Sequence, residues 1–203
     1  MTDYRTLFKS CGDNVRIDDG VFIESPETIS VGDNVHFMRG FHCMNAPQIT
    51  IGSHVNWYPN CFLQGLGRVI VGDHVDFFPN TYISTGGDDS WIEIGHHTHF
   101  APNCVLYGAG GLKFGPYCNL AAHGVYATVG HDPIPREQPM ALVSGVSGPI
   151  TLVEDVWVAA NCTITANTTI ARGCIIGANA VVTKDTEPMG LYAGVPARRI
   201  RDR

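Results

Sequence analysis

Charge is scarce in this chain. Only 16% of its 203 residues are Asp, Glu, Lys or Arg, and 13 of these are basic, so the net charge is −6. A protein that grips phosphate backbones normally shows a basic surface, so nucleic acid is not expected as a partner. No apolar run approaches the ~18 residues that a membrane span needs, so no membrane partner is expected either. The opening Met1-Thr2-Asp3-Tyr4-Arg5 lacks the basic-then-apolar order of a secretory signal. The seven cysteines are odd in number and none stands in a CxxC pair. That excludes a zinc ribbon and argues against a disulfide scaffold, leaving reduced thiols in the cytoplasm. What the chain has in quantity is glycine (23), proline (12) and hydrophobic residues (44%). Enough apolar residues for a core, broken by many turn formers, predict a single domain over 1–203 built of many short strands.

An internal repeat organises those strands. Gly12-Asp13-Asn14-Val15 returns as Gly32-Asp33-Asn34-Val35, Gly52-Ser53-His54-Val55 and Gly72-Asp73-His74-Val75, each 20 residues on. Gly95-His96-His97-Thr98, Gly115-Pro116-Tyr117-Cys118, Val153-Glu154-Asp155-Val156 and Ala171-Arg172-Gly173-Cys174 complete eight copies. A finer step of six runs inside each copy, as in Val15-x-Ile17 followed by Val21-x-Ile23. Apolar residues two apart, flanking an outward residue, are the strand signature. Three short strands per copy make one triangular coil, and coils stacked at roughly 4.8 Å make a parallel β-solenoid of about eight turns. Extra residues always fall between the second and third strands, so one corner is enlarged coil after coil: 44–48, 64–68, 84–90 and, largest, the loop 131–148. A short tail, 186–203, follows the last coil.

The faces differ in character. Outward positions on the first are mostly polar: Arg16, His36, Asn56, Asp76, His99, Asn119, Trp157 and Ile175. The third is also mostly polar, from Ser30 to Thr151. The second presents Phe22, His42, Phe62, Tyr82, Val105, Val125, Thr163 and Val181. Outward positions this apolar are expected to pack against other subunits. Cys43, Cys61, Cys104, Cys118, Cys162 and Cys174 fall on inward positions and read as small core residues.

Hexapeptide steps of the Val-x-Ile-Gly-Asp-Asn kind, three to a coil, resemble the left-handed β-helix of the hexapeptide-repeat acyltransferases, and most closely the sugar, galactoside and maltose O-acetyltransferases. The resemblance implies the left hand of the solenoid and a homotrimer held through Phe22, Phe62, Tyr82, Val105 and Val125. Gly130-His131-Asp132-Pro133, at the base of the long loop, resembles the Gly-His-Pro stretch of those enzymes. It implies that His131 is the general base that takes the proton of an acceptor hydroxyl attacking acetyl-CoA. Imidazole is suited to that work near neutrality. Asp132, Glu137 or a backbone carbonyl is expected to hold its second ring nitrogen. In the galactoside enzymes an Asn about 30 residues earlier contacts the acceptor. Here Ala101 stands at that spacing and Asn103 two residues on, so Asn103 and Asp132 are the expected acceptor-binding residues.

The C-terminal third carries the denser resemblance. Asp155-Val156-Trp157-Val158-Ala159-Ala160-Asn161 is similar to the family's Asn-Val-Trp-Ile-Gly-Ala-Asn coil. Residues 176–185 are similar to Ile-Gly-Ala-Gly-Ser-Val-Val-Thr-Lys-Asp, and 192–201 to Ala-Ala-Gly-Val-Pro-Ala-Lys-Val-Ile-Arg. In the family this region forms the acetyl-CoA groove. The implied contacts are Ala160 and Ala178 along the pantetheine arm, Thr183 and Lys184 near its far end, and Arg198 and Arg201 at the phosphates, where guanidinium pairs well. Asn179 and Ala159 stand where the family has Gly.

The remaining histidines have ordinary readings. His54, His74 and His97 occupy the turn slot of Asn14 and Asn34 and read as corner hydrogen-bonders; His36, His42 and His99 are outward strand residues; His96 is a turn residue and His123 precedes a strand. A zinc site like that of the γ-class carbonic anhydrases, which share this fold, needs three histidines at a defined offset. No such motif is present, and no metal is expected. The resulting expectation is acetyl transfer to a hydroxyl of a sugar or sugar-containing acceptor. The alternatives are N-acetylation of a nucleotide-linked amino sugar, a carbonic-anhydrase-like metalloenzyme, or a non-catalytic solenoid.

Overall fold

The computed structural model describes residues 3–45, 48–132, 136–143 and 145–203. Ala46 and Pro47 of the second coil's extension, and Pro133–Pro135 and Ser144 of the long loop, lie outside the described residues.

Three parallel sheets run the length of the molecule. Strands pair with their counterparts one coil on, so the first and third strands of successive coils never mix. The first sheet starts at Arg16–Ile17, the second at Phe22–Ile23 and the third at Ser10–Cys11. Each gains one strand per coil, eight coils in all. The first sheet continues further: Gly190–Ala193 adds a parallel ninth rung on Ile175–Ile176, and Arg198–Asp202 folds back antiparallel on it. The expected tail is therefore an ordered hairpin that caps the C-terminal end. This is the triangular parallel solenoid of the left-handed β-helix.

Register follows the repeat. On the second face Phe22, His42, Phe62, Tyr82, Val105, Val125, Thr163 and Val181 are consecutive Cα partners. Inward positions stack like on like. Phe37, Trp57, Phe77 and Phe100 form a ladder whose rings lie 6.3, 4.0 and 5.2 Å apart with interplanar angles of 10° or less. Offset stacks of this kind add to the free energy of burying the rings. The six inward cysteines are all buried, and burial pushes the thiols of Cys43 and Cys61 up to about 12, which makes them inert as nucleophiles at neutral pH. Cys11 is exposed.

The corners explain the recurrent asparagines. Between the first and second faces one slot per coil has positive φ: Gly20, Gly40, Asn60, Asn80, Asn103, His123, Asn161 and Asn179. Between the third and first faces the slot holds Asn14, Asn34, His54, His74, His97, Tyr117 and Asp155. Glycine and asparagine tolerate this left-handed conformation best, so Asn179 in place of Gly leaves the turn intact. The backbone N–H groups of the three corner histidines bond across the corner, and their rings lie one over the next: His54 on His74 at 4.6 Å, His74 tilted on His97 at 4.7 Å and His97 on Tyr117 at 5.2 Å. Among the described residues one ring of this column also hydrogen-bonds, His97 Nδ1 with His96 Nδ1 at 3.0 Å.

Candidate functional site

The enlarged corner between the second and third faces carries an arm where a plain loop was expected. After Val125–Ala127 the chain leaves the prism, and Val129–His131 pairs antiparallel with Gly145–Ser147, His131 opposite Gly145. Both ends of the arm are seated on the coil below. A Cβ on Gly110 would lie 2.6 Å from the Thr128 carbonyl oxygen and 2.7 Å from the Gly148 nitrogen, so only glycine admits the arm there. Thr128 is fully buried and locks the seat. Its hydroxyl donates to the Tyr107 carbonyl at 2.6 Å and accepts from Gly110 N–H at 2.9 Å, while its carbonyl accepts from Gly148 N–H at 3.0 Å.

His131 is exposed at the end of this two-stranded base. Its Nδ1 lies 3.4 Å from the Val143 carbonyl oxygen. A carbonyl only accepts, so Nδ1 is the donor in this contact, and in the neutral ring that tautomer leaves the lone pair on Nε2. A backbone carbonyl is one of the three expected orienting groups. Asp132, next in sequence, is half-buried and takes part in an interaction.

The corner between the first and second faces changes composition along the axis. In coils three and four it carries Tyr58-Pro59 and Phe78-Pro79, with the two rings stacked at 4.6 Å. From coil six onward it carries Ala121-Ala122, Ala159-Ala160 and Gly177-Ala178, and these turns bond in sequence: Asn161 N–H to the Ala122 carbonyl and Asn179 N–H to the Ala160 carbonyl, both 3.0 Å. Small residues thus line this corner along the last three coils. Ala178 is exposed in it and Ala160 half-buried. Arg198 stands at its C-terminal end, paired with Ala193 across the capping hairpin. Thr183 and Lys184 lie on the other corner, the one that bears His131.

The closing arginines divide into two groups. Arg199 is bound to Glu187 and Asp202, and its guanidinium lies over the Tyr192 ring at 5.9 Å. Those hydrogen bonds, to Asp202 first and Tyr192 second, raise it further above the ordinary arginine value. Arg203 binds Asp155 and Arg172 binds Glu154. Arg198 and Arg201 instead bond only to backbone carbonyls, and neither they nor Lys184 pair with a carboxylate among the described residues. Among the described residues of the C-terminal coils they are cations left available to an anion.

Within one chain the structure does not unite all the expected site residues. His131, Asp132, Thr183 and Lys184 share the corner between the second and third faces. Asn103, Ala160, Ala178 and Arg198 share the corner between the first and second, and Arg201 lies on the outer side of the first face beside Leu191. The second face separates the two corners. Asn103 is also a member of the left-handed turn column, where its Oδ1 accepts from Asn80 Nδ2 at 3.2 Å. Thr128, Gly110 and Val143 were not among the residues expected from sequence. A signal for the first two was present, since Gly108-Ala109-Gly110-Gly111 stands one coil before the interruption on the same corner. Among the described residues no group of three or more His, Cys, Asp or Glu side chains is placed to hold a metal ion.

Residues 149–184 match the family described as bacterial transferase hexapeptide (six repeats). The galactoside O-acetyltransferase of Escherichia coli is 43% identical over 56 residues, which is 28% of this chain and 28% of that protein. A chloramphenicol acetyltransferase of Agrobacterium fabrum is 39% identical over 57 residues, 28% of this chain and 27% of that protein. The crystal structure of AntD, an N-acyltransferase from Bacillus cereus in complex with dTDP-4-amino-4,6-dideoxyglucose and coenzyme A, superposes over 98% of this chain and 86% of its own, with 20% identity and a TM-score of 0.56. The chain thus spans under a third of the length of the curated relatives it matches, while its solenoid follows that of AntD almost from end to end. Residues 149–184 thus carry the bacterial transferase hexapeptide repeat, and the three parallel sheets continue the same triangular coil through the rest of the described chain.

Proposed function

We propose that this protein is an acetyl-CoA-dependent acetyltransferase that acetylates a hydroxyl of a sugar or sugar-containing acceptor, with His131 as general base. One geometric observation carries the reading. The His131 corner and the small-residue corner flank the same apolar face and lie at the same level of the axis, coils six to eight. Three prisms packed with that face inward around a threefold axis set each chain's His131 corner against its neighbour's small-residue corner. The homotrimer proposed through Phe22, Phe62, Tyr82, Val105 and Val125 therefore assembles the site that one chain leaves divided.

In that cleft the pantetheine arm of acetyl-CoA runs along Ala160 and Ala178, where larger side chains would crowd it. Arg198 and Arg201, with no carboxylate of their own, take the phosphates. Thr183 and Lys184 lie toward the cofactor's far end. His131 Nε2 receives the acceptor proton as the oxygen attacks the thioester carbonyl, while the Val143 carbonyl holds the tautomer and steadies the imidazolium. Asn103 and Asp132 are the polar groups offered to the acceptor. N-acetylation of a nucleotide-linked amino sugar would use the same cleft with an amine as nucleophile; the ligands bound by AntD support keeping it as the second reading. Support for acetyl transfer comes from the relatives whose likeness falls on the same C-terminal coils. Coenzyme A should raise the thermal midpoint of the purified protein, and free thiol should appear from acetyl-CoA only when an acceptor is added. No thermal shift at millimolar coenzyme A overturns the assignment.

A further inference from the structure

The corner that bears His131 is not blank in the coils before it. Coils one to four leave a groove of about 520 Å³ there, lined among others by Glu24, Gln64, Leu66, Ser84 and Thr85. Its polar groups are partly committed in ways that leave donors and acceptors open to the groove. Glu24 Oε2 accepts from Asn45 N–H at 2.6 Å, with Oε1 unbonded among the described residues. Gln64 Nε2 donates to the Tyr82 hydroxyl at 2.6 Å, which leaves Gln64 Oε1 as an acceptor and the Tyr82 O–H as a donor. Leu66 is 52% exposed over the groove, an apolar surface among polar ones.

Gln64, Ser84, Tyr107 and Ala127 are consecutive register partners on this corner. Gln64 therefore lies three rungs, about 14 Å, from the coil that carries the His131 arm. Between them stands Tyr107, 40% exposed, its ring edge-on to Tyr82 at 5.8 Å. Mixed hydroxyl, amide and carboxylate partners beside exposed aromatic faces suit the alternating hydroxyl and C–H surfaces of pyranose rings. No lining residue of the groove is cationic and one is a carboxylate, so a nucleoside diphosphate would find repulsion there in place of pairing.

We infer that this groove is a remote acceptor subsite that binds the non-reacting end of a neutral oligosaccharide, whose acetylated hydroxyl lies at His131. The inference rests on the acetyltransferase reading and sharpens it: a monosaccharide cannot span from Gln64 to His131, and a chain of several neutral sugars can.

The test is glycan binding by the intact protein, read without catalysis. Immobilised neutral hexose oligomers of one to six units, with UDP-glucose in solution as the charged comparison, are titrated with wild type, Gln64→Ala and Tyr107→Ala. Thermal midpoints check that each variant is folded, and the two substitutions stand in for each other if one is not. Longer neutral oligomers should bind at least tenfold more tightly than the monosaccharide and than UDP-glucose. Each substitution should weaken that binding about tenfold while the thermal shift with coenzyme A is unchanged. Binding that does not grow with length, that survives both substitutions, or that favours UDP-glucose overturns the inference. If coenzyme A binds and acetyl transfer to other acceptors persists in that case, only the subsite is wrong; if coenzyme A fails to bind, the acetyltransferase reading falls and neutral-glycan binding by the groove stands or falls on its own data.

Discussion

Tyr126 offers a sharp quantitative test of how the core is packed. It lies on the rung that launches the arm, with no exposed surface, and its hydroxyl has no hydrogen-bond partner among the described residues. The oxygen presses toward backbone, since a Cβ on Gly124 would lie 3.1 Å from it. Burial holds the phenol well above its ordinary value, with smaller effects from Cys104, Cys162 and Cys118. A buried polar group left unsatisfied costs about 1–3 kcal/mol. Tyr126→Phe removes that cost and breaks no bond. The vacated space is roughly 10 Å³, which at about 24 cal/mol per Å³ costs only about 0.2 kcal/mol. The expected outcome is a gain of about 1–2 kcal/mol, or a thermal midpoint higher by about 2–8 °C for a chain of this length. Urea unfolding followed by far-ultraviolet circular dichroism measures it, with an unchanged denaturant slope as the control. A loss of 1 kcal/mol or more would refute the reasoning, since it would require a partner for the hydroxyl inside the core.

Three further outcomes follow from the same structure. Arg198→Ala with Arg201→Ala should raise the KM for acetyl-CoA about tenfold or more with kcat little changed, because in the proposed cleft each guanidinium would form charge-assisted bonds to phosphate; steady-state kinetics over acetyl-CoA concentration checks this, and an unaltered KM contradicts it. Gly110→Ala should unseat the arm, since its Cβ has no room under Thr128 and Gly148, and cost activity far more than stability of the other coils; limited proteolysis within 129–147 should quicken in step. His97 is held below the ordinary histidine value of 6.5, first by desolvation and then by His74, His96 and His99. The unfolded chain thus takes up protons that the folded corner resists, so this contribution is complete above pH 6.5 and is lost as pH falls through the lower folded value. His74→Asn, which suits the left-handed slot at φ 56°, should shallow the fall in thermal midpoint between pH 7 and pH 5; an unchanged slope counts against the ring stack.

The solenoid was legible in the sequence because each rung repeats the same physical demand. An inward apolar residue, an outward residue and a left-handed turn recur at every corner, so eight copies vote on one register, and Phe22 through Val181 fall where the six-residue step puts them. Asn103 shows the limit of that reading. As an isolated asparagine at a suggestive spacing it looks like an acceptor ligand, yet the repeat also demands a left-handed residue at that slot. The corner histidines illustrate a related point: hydrogen-bonding capacity, which His97 uses toward His96, can be seen in one residue, whereas ring stacking depends on rungs that are 20 or more residues apart. The arm was visible only as an interruption. Its hairpin pairing, the Thr128 lock and the Val143 carbonyl arise from contacts peculiar to that excursion, with no second copy in the chain to reveal them. That the expected site residues fall on two corners is likewise visible only in three dimensions, and in the proposed trimer the apolar second face is the element that would complete the cleft.

The most direct measurement is single-turnover thiol release from acetyl-CoA, with a confirmed acceptor, by wild type and His131→Ala. Coenzyme A binding by thermal shift is measured on the same samples. If His131 is the base, the substitution lowers the rate on the order of 10²–10⁴-fold, while the coenzyme A shift and the fold are retained. A variant that keeps most of the rate would contradict the assignment of His131 as the base, and with it the proposed purpose of the arm.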